Sequence, residues 1–232
     1  MVFYMKSIKT NSEKIFGISD KDRAARIVSI LKEIYPEAVC ALEYKDDPWK
    51  LLVQGRLSAQ CTDKRVNIVS VPLFERYPTA YDMAVADFDE LAEIIRPCGL
   101  YRTKAQNLID SSRIICEKYG GKLPSEMEEL LSLPGVGRKI ANLMRGDIFG
   151  LPAIVADTHC IRISGRLGFY PEEQKDPVKT EMILREIIEP SEQSDFCHRI
   201  VSYGRDVCTA RSPKCGECPL SQLCLHYVQN KD

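Results

Sequence analysis

Apolar residues recur at helical spacing along most of the chain. Ala24, Ile27, Val28, Leu31 and Ile34 form one stripe between Asp20 and Tyr35, and Pro36 ends it. Asp47-Pro48 opens a second helix, which runs through Leu51, Leu52 and Leu57 toward Gln60, with proline at an early position where its missing N–H costs nothing. Thr62 to Tyr77 predicts a third helix, with Pro72 expected to kink or split it. Val85 to Ile95 and Thr103 to Tyr119 follow; Gly120-Gly121 closes the latter. Ser125 to Ser132 opens on Ser-Glu-Met-Glu, the pattern of a capping box. Arg138 to Phe149, 158–168 and 178–188 complete the set. No segment alternates cleanly over five residues, so the predicted fold is all-α. No repeat of solenoid period and no low-complexity stretch interrupts it.

The 232 residues suffice for one large domain or two small ones. No apolar run is long enough to cross a membrane. Met1 to Thr10 lacks the apolar stretch and small-residue cleavage site of a signal peptide. A cytoplasmic protein is expected, associated with the nucleoid if the source is prokaryotic. A net charge of −1 argues weakly against a nucleic-acid partner. Its distribution does not: Arg96 to Arg145 carries nine basic residues against five acidic. Arg199, Arg205, Arg211 and Lys214 are opposed locally only by Asp206. A basic face is compatible with this, and so are ordinary solvated helix surfaces.

Ten cysteines are unevenly placed. Cys40, Cys61, Cys98, Cys116, Cys160 and Cys197 stand singly among apolar neighbours and read as small buried hydrophobes. Cys208, Cys215, Cys218 and Cys224 are spaced C-x6-C-x2-C-x5-C, which points to a metal group in an intracellular chain. Zinc and an iron–sulfur cluster both fit four thiolates, and spacing alone does not choose between them. Ligation at both ends would order the intervening Thr209–Lys214 loop and present Arg211 and Lys214 to an anion.

A second feature is the turn Leu133-Pro134-Gly135-Val136-Gly137 between a short helix and a basic one. Gly135 and Gly137 permit positive φ, and successive N–H groups in such a turn can cradle a phosphate at a helix N-terminus. Lys139 beside Arg138 at the start of that helix feels its positive dipole, a positive neighbour and, on this reading, partial burial. All three favour the free amine, but on the hairpin alone Lys139 reads equally as a phosphate contact like Arg138, and the turn as an ordinary helix–helix turn. Asp157, between an apolar run and a helix, has the position of an N-cap.

Taken jointly, several motifs resemble the helix–hairpin–helix DNA glycosylases of the endonuclease III type. They are Leu57-Ser58-Ala59-Gln60-Cys61-Thr62-Asp63, Gly99-Leu100-Tyr101, the 133–139 hairpin, Val155-Ala156-Asp157-Thr158-His159 and the cysteine cluster. The resemblance spans about residues 40 to 226. It implies two helical lobes, a helical barrel at 41–151 and a cluster lobe built from 1–40 and 152–232. DNA would cross the cleft between them. It further implies a monomer and a [4Fe–4S] cluster on Cys208, Cys215, Cys218 and Cys224. The implied partner is duplex DNA with a damaged base or an abasic site. The implied activity is release of oxidised or damaged pyrimidines, with β-elimination 3′ to the abasic site.

By resemblance, Lys139 is the nucleophile that forms a Schiff base with the sugar, and Asp157 is the catalytic carboxylate. Gln60 and Leu100 fill the space left by the extruded nucleotide. Gly135, Gly137, Arg138, His159, Arg211 and Lys214 contact DNA; packing is an equal alternative for His159.

Two places depart from the pattern. Relatives are typically apolar where this chain has Gln54-Gly55-Arg56. Four residues before Gln60, Arg56 is expected on the same helix face, directed at the lesion pocket or orphaned base and altering substrate preference. Some relatives carry Glu where this chain has Leu131; Glu128 is a candidate substitute. A monofunctional glycosylase is a rival reading, opposed by Lys139. A non-catalytic DNA-binding protein is another, separated by whether strand cleavage needs Lys139.

Overall fold

The computed structural model describes residues 15–230, which contain helices and no strand. The expectation placed on Met1–Thr10 lies outside the described residues. The chain divides into two compact units, Cys40–Leu151, and Met1–Val39 with Pro152–Asp232.

The 40–151 unit contains α2 (Pro48–Leu57), α3 (Asp63–Arg76), α4 (Ala80–Ala84), α5 (Phe88–Ile95), α6 (Tyr101–Tyr119), α7 (Met127–Leu131) and α8 (Arg138–Asp147). α2 is buried on every side: Leu51, Leu52, Val53, Gln54, Gly55 and Leu57 are all covered. Around it pack Val66, Val69 and Leu73 of α3, Leu91 and Ile95 of α5, Ala105, Leu108 and Ile115 of α6, and Ala141 and Met144 of α8. Gly55 sets how closely α8 approaches. A Cβ there would lie 3.4 Å from Ile140 Cγ2 and 3.8 Å from Leu143 Cδ2. The segment carrying Lys139 is thus seated on the central helix.

The other unit contains α1 (Asp20–Ile34), α9 (Thr158–Leu167), α10 (Pro177–Ile187), α11 (Gln193–Asp206) and α12 (Leu225–Gln229). Ile27 and Leu31 of α1, Ile163 and Leu167 of α9, Leu184 of α10 and Phe196, Ile200 and Tyr203 of α11 are buried. Arg23 is fully buried as well. It donates to Asp20, to the Leu167 carbonyl and to the Leu223 carbonyl at 3.0 Å, and its guanidinium stacks 4.5 Å from the Phe169 ring. A buried charge needs such partners. This one fastens the segment leading to Cys224 onto α1 and α9.

Side-chain N-caps define most helix starts. Ser19, Asp47, Thr62, Asp87, Asp157 and Asp176 each accept from a first-turn N–H. Four expectations change. Pro72 does not split α3; it is exposed, and water can take the carbonyl its ring leaves unpaired. The predicted 85–95 helix is α5, preceded by the separate α4. There the capping box belongs to Thr79 and Asp82, because Asp87 caps a new start. No capping box forms at Ser125: α7 begins at Met127 after Glu126, without a side-chain cap. α11 was not predicted, although Phe196, Cys197, Ile200 and Tyr203 carry its helical spacing.

Candidate nucleic-acid interface and cluster site

The hairpin lies between α7 and α8. Leu133 and Val136 are buried and anchor it, while Gly135 and Gly137 are exposed. Only Gly135 uses positive φ, at 77°. Gly137 is extended, with φ −94° and ψ 176°, and no atom lies within 4 Å of where its Cβ would be. Its value is therefore open space, not conformational freedom. Gly137 is the N-cap of α8 and supplies no side-chain cap, so the N–H groups of the first turn remain available to an anion.

Lys139, the second residue of α8, is exposed. The partial burial expected from sequence is absent from the described structure: Lys139 is solvent-exposed in the first turn of α8. Arg138 beside it is half-buried.

Arg56 lies against this hairpin. Its Nε and Nη2 donate to Asn107 Oδ1 at 3.2 and 2.7 Å, and its Nε is 2.4 Å from where a Gly135 Cβ would sit. Among the described residues no carboxylate pairs with it, and burial pulls its pKa below the usual guanidinium value. The expected shared helix face with Gln60 does not exist. α2 ends at Leu57, and Gln60 adopts φ 57°, outside the helix.

Gln60 is exposed at the tip of the turn after α2. Leu100 is 56% exposed, φ 48°, at the N-terminus of α6 and after Gly99 with φ 68°. Leu100 is thus a large apolar side chain held partly in solvent on a strained backbone. That combination is what sequence could not separate from an ordinary core leucine. Leu131 and Glu128 of α7 are both exposed.

In the other unit, Asp157 is half-buried and caps α9, accepting from Cys160 N at 2.7 Å. The cap fixes the carboxylate. His159 is half-buried beside Arg162, whose Nη2 is 3.2 Å from Nδ1, and its ring presses on Gly204, where a Cβ would come within 2.4 Å of Nδ1.

Cys208, Cys215, Cys218 and Cys224 are half-buried, free of disulfides, and border one pocket of about 380 Å³, solvent-open space included. Among the described residues no three His, Cys, Asp or Glu side chains converge as a single metal ion requires. Four cysteines bordering one pocket supply a donor set that either an iron–sulfur cluster or zinc could use. Donors aim at the sulfurs: Tyr203 Oη lies 2.7 Å from Cys218 Sγ, and Arg166 Nη1 lies 3.4 Å from Cys208 Sγ. Burial pushes the free Cys224 thiol up to about 11 and raises Cys208, while Arg166 opposes the rise at Cys208. Cluster iron would displace these protons and be held by the four thiolates.

The loop between the first two cysteines is tied from inside. Arg166 donates to the Thr209 and Ala210 carbonyls at 2.8 and 2.9 Å, and Arg162 to the Cys208 carbonyl at 2.9 Å. Arg211 and Lys214 remain exposed. Sequence reasoning missed Arg162 and Arg166; their i, i+4 spacing on α9 was the available signal.

A family model described as HhH-GPD superfamily base excision DNA repair protein matches residues 53–190. A second, the iron-sulfur binding domain of endonuclease III, matches 208–224. The fold and hairpin are thus those of a base-excision DNA repair protein, and the cysteine loop is an iron–sulfur site. Endonuclease III from Synechocystis sp. is 46% identical, over 89% of this chain and 93% of that protein. The Bacillus subtilis enzyme is 43% identical over 83% and 87%. Two solved structures, a non-covalent endonuclease III–DNA complex and a trapped endonuclease III–DNA covalent intermediate, each give a TM-score of 0.84. Each is 40% identical, with 90% of this chain and 97% of that chain covered. The chain belongs to the endonuclease III family and is a DNA glycosylase with abasic-site lyase activity. DNA is its partner. Among the described residues no helix is long and apolar enough to cross a membrane.

Proposed function

We propose that this enzyme removes oxidised or ring-damaged pyrimidines from duplex DNA and nicks 3′ to the resulting abasic site, with Lys139 as nucleophile. The observation that carries this reading is an exposed lysine on the first turn of a helix whose N-terminus is uncapped and follows the Leu133–Gly137 turn. A phosphate bound by those N–H groups would bring the sugar of an extruded nucleotide within reach. The Lys139 amine attacks C1′, the damaged base leaves with a proton, and the opened sugar forms a Schiff base. β-Elimination then breaks the C3′–O bond. A relative has been captured as a covalent intermediate with DNA, which fits this route.

Asp157, fixed by its cap, stabilises positive charge on the sugar and relays protons. Gln60 and Leu100 enter the duplex. Gly135, Gly137, Arg138, Arg211 and Lys214 contact phosphates, and His159 supports the sugar–phosphate contact. Arg56 biases lesion choice from beside the hairpin. The cluster is [4Fe–4S] and orders the Thr209–Lys214 loop without taking part in the reaction. The helical barrel at 41–151 and the cluster lobe, 1–40 with 152–232, act as domains of a monomer in the cytoplasm, at the nucleoid in a prokaryote.

Borohydride added to the protein on duplex DNA with one abasic site or thymine glycol tests the assignment. A covalent adduct with the wild type and none with Lys139→Gln is expected. An equal adduct from Lys139→Gln would move the nucleophile elsewhere. No adduct from a cluster-loaded wild type that still binds the DNA would remove the Schiff-base route.

A further inference from the structure

Lys104 is fully buried, yet among the described residues no carboxylate pairs with it. Its Nζ donates to the carbonyls of Leu57 at 2.8 Å, Ala59 at 2.8 Å and Cys98 at 2.9 Å. Burial pulls its pKa down. Three donated hydrogen bonds nevertheless require three N–H groups, and only the ammonium has them. With every proton engaged and no lone pair, Lys104 is not a second nucleophile. What it does is hold backbone. The Leu57 and Ala59 carbonyls end α2 and its turn, and the Cys98 carbonyl ends the 3-10 turn before α6. A cation at a helix C-terminus satisfies carbonyls that would otherwise be orphaned.

The position of those carbonyls gives the contact its meaning. Ala59 immediately precedes Gln60, and Cys98 stands two residues before Leu100. Among the described residues only four other than glycine have positive φ, and Gln60 and Leu100 are two of them. A side-chain-bearing residue holds that conformation only where its surroundings over-determine it. One ammonium thus clamps both strained turns, although they stand some 40 residues apart in the chain.

We propose that Lys104 is the positioning residue for the two duplex-invading side chains, presetting Gln60 and Leu100 as a pair before DNA arrives. The proposal rests on the reading that these two side chains enter the duplex. Without the clamp the two turns must be ordered at the moment of base extrusion, so extrusion carries that cost. A base still paired and stacked resists extrusion more than an abasic nucleotide does. Loss of Lys104 therefore weighs on base release more than on Schiff-base formation at an abasic site.

The test uses cluster-loaded full-length protein. Single-turnover release from thymine glycol DNA, 2-aminopurine fluorescence beside the lesion, and borohydride trapping at a preformed abasic site are compared for wild type and Lys104→Met. The same substitution is made in a Gln60→Ala/Leu100→Ala background. Base release and the fluorescence change should slow about tenfold or more in Lys104→Met, as expected for losing hydrogen bonds to a charged group, while trapping stays near wild type. In the Gln60→Ala/Leu100→Ala background the substitution should add nothing, because no wedge remains to be positioned. Should Lys104→Met fail to fold, Lys104→Arg decides. Its planar guanidinium keeps the charge but cannot meet all three carbonyls, so the same pattern is expected, reduced in size. Equal losses in both backgrounds, equal losses on both substrates, or no loss would each overturn the proposal. If the Gln60→Ala/Leu100→Ala protein extrudes and releases base like wild type, the duplex-entry reading itself falls and the proposal with it.

Discussion

Replacing Gly135 with alanine separates two uses of glycine within one turn. At φ 77° a side chain strains the backbone by about 1–2 kcal/mol. The new methyl would also lie 2.4 Å from Arg56 Nε, 2.8 Å from Arg56 Cδ and 2.8 Å from Asn107 Oδ1. These are the atoms of the Arg56–Asn107 contact, so that contact must open, at about 0.5–1.5 kcal/mol. The stiffer unfolded chain returns roughly 0.4–1 kcal/mol. The net expectation is a loss of about 0.5–3 kcal/mol. Gly137→Ala, with φ −94° and open space around it, should change stability by no more than about 0.5 kcal/mol. It should still weaken DNA binding, because the methyl occupies the approach to the uncapped N–H groups of α8. Urea midpoints of the cluster-loaded proteins, followed by circular dichroism, read the first difference, and titration of abasic-site duplex reads the second. Equal midpoints for the two variants would refute the claim that Gly135 is conformationally required. Unchanged DNA affinity for Gly137→Ala would refute the phosphate cradle.

Other expectations follow from single contacts. Arg211→Ala and Lys214→Ala should each lower the slope of log affinity against log salt by about one, as loss of one phosphate contact does; an unchanged slope takes that residue off the DNA. Arg166→Gln removes the donors to Thr209, Ala210 and Cys208. It should loosen the loop enough for trypsin to cleave at Arg211 or Lys214, and an uncut loop would assign the order to the cluster alone. Arg56→Ala should change the ranking of a lesion panel; an identical ranking leaves Arg56 as hairpin packing only. Glu192 accepts from Lys32 at 2.7 Å and Arg199 at 2.8 Å, which hold its carboxyl below the usual value. The stability this contributes is present above its unfolded pKa and lost as pH falls through the folded one. Glu192→Gln should therefore flatten the acid limb of a stability–pH curve, and an unchanged limb would remove the assignment.

How legible the molecule was in its sequence depended on how local each feature is. The spacing of Ala24, Ile27, Val28 and Leu31 announced α1, because an amphipathic stripe and its caps are properties of neighbours in the chain. The missed α11 carried the same signal. Boundaries were harder: α4 falls between the predicted 62–77 and 85–95 segments, and α5 starts three residues later than predicted because Asp87 caps it. The cysteine spacing marked a metal site, but not the arginines on α9 that tie its loop.

The sequence by itself determined the helical class, the hairpin, the four-cysteine motif and the family, since each rests on residue types at short fixed spacing. Only the tertiary structure decided that Lys139 is exposed, that Arg56 lies against Gly135 and Asn107, and that Gln60 has left the helix. It alone brought the Lys104 ammonium onto carbonyls 45 and 47 residues away. The reason is physical: a buried charge takes its partners wherever the packed chain places them, and no pattern of neighbouring residues records where that is.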